Sequence, residues 1–253
     1  LDFEMKIHAH IIARNNATIF PYTARHYTSF CDRVFLHDFG SDDGTLDIAK
    51  QYGIEIVNEG NPDKFDDRDN TRVKNECWLG TDADWVMVMD ADELMYFPGG
   101  AQEALAAYTK QGLAVVKPHG FEMLHKTWPT TTGQIYDEVK YGARLVDYDK
   151  PVLFTPRLVE KIQFSEGAHV CNSILMKNGS QMSTPSAYAD PPVYLLHCHH
   201  VGPIEWIAGR YDIRTARHSE ANTRNHWGNQ KPGMVHALEK RNFIEAHLER
   251  VIP

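Results

Sequence analysis

The stretch Trp85-Val86-Met87-Val88-Met89-Asp90-Ala91-Asp92-Glu93 decides how the chain is read. Five consecutive apolar residues, rich in Val, are too few for a helix and suit a strand buried on both faces, as in a parallel sheet covered by helices. The run stops in three acids, Asp90, Asp92 and Glu93. Carboxylates so close repel one another unless something positive lies between them, and the carboxyl edge of an open α/β sheet is where ligands bind. Asp90 and Asp92 are hard oxygen donors, suited to Mg²⁺ or Mn²⁺ bridging to a diphosphate. The plainer alternative is a polar strand end capping the next helix.

Working toward the N-terminus, residues 6–13 alternate and then run apolar, a first strand that ends in Arg14-Asn15-Asn16. Residues 18–30 read as a helix with Pro21 in its first turn. A second strand over 33–37 runs into Asp38-Phe39-Gly40-Ser41-Asp42-Asp43-Gly44-Thr45, a tight acidic loop. A helix over 46–52, stopped by Gly53, leads to a third strand over 54–57. This alternation is that of βαβ units. Residues 58–69 form a polar loop, and 70–79 a helix that presents Arg68 or Arg72 toward the acids while Val73, Cys77 and Trp78 pack inward.

Toward the C-terminus the pattern predicts a helix over 102–110, a strand over 113–117, a loop over 128–133, and strands over 152–155, 170–176 and 193–196. The last strand runs into His197-Cys198-His199-His200. An amphipathic helix over 203–218 carries Arg210, Arg214 and Arg217 on one face, and a final helix covers 234–248. The arginine row reads first as a solvated face and second as a grip for phosphate. No Gly/Ser/Pro-rich linker interrupts the chain. The expectation is an α/β fold with a mostly parallel central sheet flanked by helices, one domain over 1–253.

At 253 residues with 42% hydrophobic content the chain can bury a full core. No run approaches the ~20 apolar residues that span a bilayer, so no integral membrane segment is expected. The opening Leu1-Asp2-Phe3-Glu4 does not read as a signal peptide, and the lack of an initiating Met suggests a trimmed chain. Four cysteines form no CxxC pair, which points to a reducing cytoplasmic setting, with peripheral membrane association left open. The net charge of −8 is uneven: residues 1–100 carry 9 Lys and Arg against 19 Asp and Glu, residues 101–253 carry 17 against 15. An acidic first half argues against broad nucleic-acid coating and fits a site that gathers a cation first and a polyphosphate second.

The residues quoted so far resemble glycosyltransferases of the family 2 type, with a GT-A fold. The likeness lies in Ala13-Arg14-Asn15-Asn16, the 38–45 loop, Asn75-Glu76 and the Asp-Ala-Asp-Glu run, followed by a late His-rich strand end. It implies a UDP-linked or other nucleotide-diphosphate sugar as donor, Mn²⁺ or Mg²⁺ as cofactor, and a nucleotide-sugar half over 6–117. Residues 118–253 would then bind the acceptor and complete the metal set. By the same resemblance Asp38 accepts from the base, Ala13 and Arg14, with Asn15 beside them, line the base and ribose pocket, and Arg68 or Arg72 approaches the diphosphate. Asp90 would lie near the ribose or the metal, and Asp92 would hold the cation. Arg14-Asn15-Asn16 departs from the Lys-Asn-Glu-like run of many relatives.

The chemistry implied is departure of a diphosphate from an anomeric carbon, which needs its growing negative charge neutralised. In a strand His197 and His199 point to one side, Cys198 to the other, so the two imidazoles are further metal candidates and a four-ligand zinc set is disfavoured. The likeness also hints that His169 lies near the sugar or metal. Inverting transfer needs a base beside the acceptor hydroxyl. Glu122, Asp137, Glu138 and Glu166 are the candidates, with His125 behind them and Glu122 first because it closely follows a strand. Trp128, Trp206 and Trp227 are the candidates to stack on a sugar ring; Trp128, in a loop, comes first as acceptor platform, whereas Trp206 packs its helix. The acceptor could be a glycan, a lipid-linked sugar, a protein or a modified nucleic-acid base. The rival readings are a nucleotidyltransferase acting on a sugar phosphate and a nucleotide- or carbohydrate-binding module without turnover.

Overall fold

A computed structural model describes residues 4–60, 63–227 and 231–253. Asn61 and Pro62, in the loop expected over 58–69, lie outside the described residues. The first half runs β1 (Ile7–Ala13), α1 (Phe20–Thr28), β2 (Arg33–Asp38), α2 (Thr45–Gln51), β3 (Glu55–Asn58), α3 (Asp67–Glu76), β4 (Trp85–Asp90), β5 (Glu93–Tyr96) and α4 (Ala101–Gln111). The second runs β6 (Val115–Val116), β7 (His119–His125), β8 (Tyr141–Arg144), β9 (Leu153–Phe154), β10 (Val159–Phe164), β11 (Cys171–Met176), β12 (Gln181–Met182), β13 (Tyr194–Val201), α5 (Ile204–Ala216), α6 (Glu220–Asn225), α7 (Gly233–Ala246) and β14 (Glu249–Arg250).

The six-stranded sheet has the order β3-β2-β1-β4-β9-β6. Its first four strands are mutually parallel; β9 pairs antiparallel with β4 and with β6, so β6 runs in the direction of the first four. The expected α/β class with a largely parallel centre therefore holds. From Trp85 to Met89 every residue is at most 1% exposed, as a strand covered on both faces requires, which is why the run shows no polar alternation.

Beyond residue 117 only β9 joins this sheet, between β4 and β6. A five-stranded sheet, β14-β8-β7-β13-β5, stands beside it, and β10-β11-β12 form a small antiparallel sheet. In the five-stranded sheet β13, between β7 and β5, is parallel to β7 and antiparallel to β5, and it continues five residues past the end expected at 196. Its register shifts between His197 and His200. Glu93 is not a third acid at an open strand end. It opens β5 and is 0% exposed, where it accepts from Lys150 Nζ (2.5 Å) and from the Asp90 N–H (3.0 Å). β7 escapes the pattern because Gly120 and a buried Glu122 interrupt its apolar residues.

Gly120 sits directly under the turn that carries Tyr148. A Cβ there would overlap the Tyr148 backbone, while the Gly120 N–H donates to Asp149 Oδ1 at 2.8 Å and its carbonyl accepts from the Leu145 N–H. Gly120→Ala is expected to cost about 1–3 kcal/mol through overpacking, read as a lower urea midpoint at unchanged slope. A midpoint equal to that of the unaltered chain would show that the turn moves away freely.

Candidate functional site

The carboxyl ends of β1 and β4, the N-terminal part of α3, the 145–150 turn, the end of β13 and one face of α5 enclose a cleft of about 750 Å³. Asp92 reaches it just past β4. Its backbone is fixed from two sides: the Ala91 N–H donates to Ile12 O, and the Cys198 N–H donates to Asp92 O at 2.7 Å. The side chain is 7% exposed and meets His199 Nδ1 at 3.0 Å, Arg210 Nη1 at 3.4 Å and His197 Nε2 at 3.9 Å. One donor atom from each of Asp92, His197 and His199 lies within 4.8 Å of the others. Strand alternation sets both imidazoles on the cleft side and leaves Cys198 buried behind them.

Burial alone would raise the Asp92 carboxyl. The hydrogen bond from His199 and the charges of His197 and Arg210 reverse this and hold it well below the usual carboxylate range. Burial would likewise lower His197, but the Glu122 carboxylate, and then Asp92, lift it to about 9. Glu122 Oε2 takes His197 Nδ1 at 2.7 Å, and Tyr148 stacks on the ring at 4.3 Å. A carboxylate bound to one ring nitrogen fixes the imidazole and frees the other nitrogen to bind a cation. His199 Nε2 is buried without a hydrogen-bond partner. These observations suit a divalent ion: an ionised oxygen donor, two oriented imidazoles and a polar nitrogen otherwise unsatisfied.

Asp90 is set apart from this trio. Lys74 Nζ is 2.8 Å from one oxygen and Lys150 Nζ 3.8 Å from the other, so its charge is already countered from both sides. Lys74 reaches the cleft through the phase of α3. Asp67, Asn70, Thr71 and Lys74 line the cleft, the i, i+3, i+4, i+7 face of one helix. Arg68 and Arg72 fall on other faces. Arg68 folds back on the N-cap Asp66, and Arg72 pairs with Glu59 and Glu76. The cation that α3 offers to the cleft is Lys74.

Ala13, Arg14 and Asn15 line the cleft. Asn15 adopts a left-handed φ of 53°, and its side chain is engaged by the 38–45 loop: Nδ2 donates to Asp42 Oδ1 and Oδ1 accepts the Asp42 N–H. Asp38 is 4% exposed and accepts the N–H groups of Gly40 and Ser41, turning its carboxylate into its own loop. That loop is held by its signature residues, with Asp43 bonded to Ala17 N–H and Thr45 Oγ1, and Thr45 Oγ1 accepting the Asn16 N–H.

The carboxylates considered as bases are dispersed. Glu122 is buried against His197, Asp137 caps a short 3₁₀ turn through the Gln134 N–H, and Glu138 lies on the surface against Thr130. His125 bonds the Thr127 carbonyl. Glu166 lines the cleft, as does His169, whose Nδ1 is 2.6 Å from the Asp147 carbonyl. Trp128 is not an open platform: it packs edge-on against Trp206 at 4.5 Å and over Gly202. Trp227 is the tryptophan that lines the cleft. The arginine row of α5 and its C-cap residue borders the cleft, with Arg214 still exposed to solvent. Arg210, Arg214 and Arg217 all line the cleft, with Arg210 on Asp92 and Arg214 on Asp67 at 3.3 Å.

Fold and site together define an α/β protein with a cleft at the carboxyl ends of parallel strands, lined by both carboxylates and basic side chains. No family model and no curated protein matches the chain. Among solved structures, mannosyl-3-phosphoglycerate synthase from Rubrobacter xylanophilus is 22% identical over 46% of this chain and 40% of that one, with a TM-score of 0.35. Glucosyl-3-phosphoglycerate synthase from Mycobacterium tuberculosis, in complex with Mn²⁺, uridine diphosphate and phosphoglyceric acid, is 18% identical over 47% and 43%, with a TM-score of 0.33. The same enzyme with Mn²⁺, UDP-glucose and phosphoglyceric acid gives 18% over 47% and 44%, at 0.34. The chain spans less than half the length of each, and the chemistry of its cleft rests on its own residues.

Proposed function

We propose that the chain is a divalent-metal-dependent glycosyltransferase that moves a sugar from a nucleotide-diphosphate sugar, UDP-linked foremost, to a hydroxyl acceptor with inversion. The observation that carries this reading is the convergence of Asp92, His197 and His199 beside Arg210 at the strand ends. In this reading residues 6–117 hold the nucleotide, and residues 118–253 complete the metal set and receive the acceptor.

Asp92, His197 and His199 would hold the ion, which when bound supplies Lewis-acid stabilisation of the charge that develops on a departing diphosphate. Arg210, Arg214 and Arg217 place three guanidinium groups along one wall, where fixed positive charge favours the same anion. Lys74 and Lys150 keep Asp90 from adding uncompensated negative charge. Glu122 and Tyr148 hold the His197 ring in place. Glu166, half-buried in the cleft wall, is the carboxylate we assign to take the acceptor hydroxyl proton. Replacing it by Gln is expected to lower kcat by about 10²–10⁴-fold with the Kd for UDP unchanged. An unaltered kcat would remove it from that role.

The test is a thermal-shift and calorimetric comparison of UDP-, GDP-, CMP- and dTDP-sugars with and without Mn²⁺. The expected result is a UDP-sugar response that requires the metal, followed on turnover by free UDP. Release of pyrophosphate would favour a nucleotidyltransferase instead, and binding without turnover of any sugar donor would favour a binding module.

A further inference from the structure

A second group of metal-binding side chains lies on the other side of α3. Side chains alternate along a strand, and β1 and β2 turn His8, His10, Phe35 and His37 toward one face of the sheet, which the end of α3 and Cys77 cover. One ring nitrogen of His10, one of His37 and the Cys77 sulfur lie within 4.8 Å of one another. His10 Nδ1 is 3.0 Å from His37 Nε2, and His37 Nδ1 is 2.8 Å from Glu59 Oε1. Phe35 stacks flat on His10 at 4.6 Å and fixes its plane.

A purely structural pair of histidines does not account for this arrangement. His37 is satisfied, with Glu59 on one nitrogen and His10 on the other. His10 is 4% exposed, yet its Nε2 has no hydrogen-bond partner. Buried polar atoms are almost always paired, so an orphan beside a thiol and a second imidazole marks a missing ligand. Cys77 is a free thiol. A cavity of about 410 Å³ opens beside the three, leaving room for a further ligand such as water. Its lining shares no residue with that of the nucleotide cleft, and a small apolar cluster of Ile12, Phe39 and Val73, with Cys77 packed against it, stands between the two.

We propose that His10, His37 and Cys77 form a second metal site, selective for Zn²⁺, in which Glu59 orients His37 and the fourth position opens to the cavity. Two imidazoles and one thiolate suit Zn²⁺, with its borderline softness and tetrahedral preference. Asp92, His197 and His199 include no sulfur and accept harder ions. Binding releases the Cys77 thiol proton to solvent as the sulfur–metal bond forms. The ion would tie β1, β2 and the end of α3 together, and so fix the last turn of the helix that carries Lys74 to Asp90.

Cobalt reports the site directly, because only a sulfur ligand gives the near-ultraviolet thiolate-to-Co²⁺ charge-transfer absorption. Titration of the metal-free, reduced full chain with Co²⁺ is expected to produce that band, and Zn²⁺ to abolish it. Asp92→Asn is expected to leave the band intact, and Cys77→Ser to eliminate it. Glu59→Gln is expected to weaken Zn²⁺ binding by about 10-fold or more. Should Cys77→Ser not fold, His10→Gln provides the second variant, with an expected loss of Zn²⁺ affinity of at least the same size. Absence of the band at saturating Co²⁺, its survival in Cys77→Ser, or its loss in Asp92→Asn would each overturn the assignment. The outcome is separable from the reading of the cleft, since Mn²⁺-dependent UDP binding is measured independently and is expected to persist in Cys77→Ser.

Discussion

Asp92→Asn is expected to lower kcat by about 10²–10³-fold, the cost of removing one preorganised electrostatic group from a transition state that develops charge. The substitution keeps the shape of the side chain and one acceptor oxygen. What it removes is the negative charge that draws His199, His197 and Arg210 to one point. The dependence of UDP binding on Mn²⁺ should fall with the rate, and calorimetry with and without the metal measures that directly. Asp90→Asn provides the contrast. Asp90 is countered by Lys74 and Lys150 and lies outside the trio, so its variant is expected to retain metal-dependent UDP binding. If Asp92→Asn turns over at the normal rate with Mn²⁺ still required, the cation is held elsewhere and the reading of the cleft fails.

The largest expected effect on stability comes from Lys150→Met. Lys150 is 3% exposed, and its ammonium group is 2.5 Å from Glu93, which is itself inaccessible to solvent. Burial pulls the lysine pKa down, but Glu93 and Asp90 outweigh it and raise it above the ordinary value. Removing the ammonium leaves a carboxylate in the interior without its partner. Breaking one side of a buried pair in this way costs about 3–5 kcal/mol, which a shift in denaturation midpoint would register. The pair itself need not be stabilising relative to neutral groups of the same shape. The double variant Lys150→Met, Glu93→Gln keeps an oxygen for the Asp90 N–H that Glu93 now accepts. It is therefore expected to recover more than half of the loss. A double variant as unstable as the single one would show that packing, not charge, is responsible.

What the sequence disclosed follows from how local each signal is. The Trp85–Met89 run identifies a two-sided buried strand because its periodicity needs no knowledge of its neighbours. The βαβ alternation around it gives the parallel centre for the same reason. Period-2 alternation likewise sets His197 and His199 on one side of β13, and in the structure they meet Asp92. Helix phase is harder to read, because it depends on where the helix begins. α3 starts at Asp67 rather than 70, and that origin turns Lys74 to the cleft and carries Arg68 and Arg72 away. Lys150 and Tyr148 were not legible at all. They belong to a short turn without periodicity, and their partners Glu93 and His197 are remote in the chain. Trp128 reads as an exposed loop residue until Trp206, on a helix that follows much later, is seen to cover it.

The backbone hydrogen bond from Cys198 to Asp92 has one more implication. The three candidate cation ligands come from distant parts of the chain, Asp92 and His199 being 107 positions apart, and they converge only once β13 has inserted between β5 and β7. During synthesis, chelation by all three side chains therefore has to wait until His199 has emerged. Under the proposed reading, metal capture would report that the end of β4 and β13 have found each other.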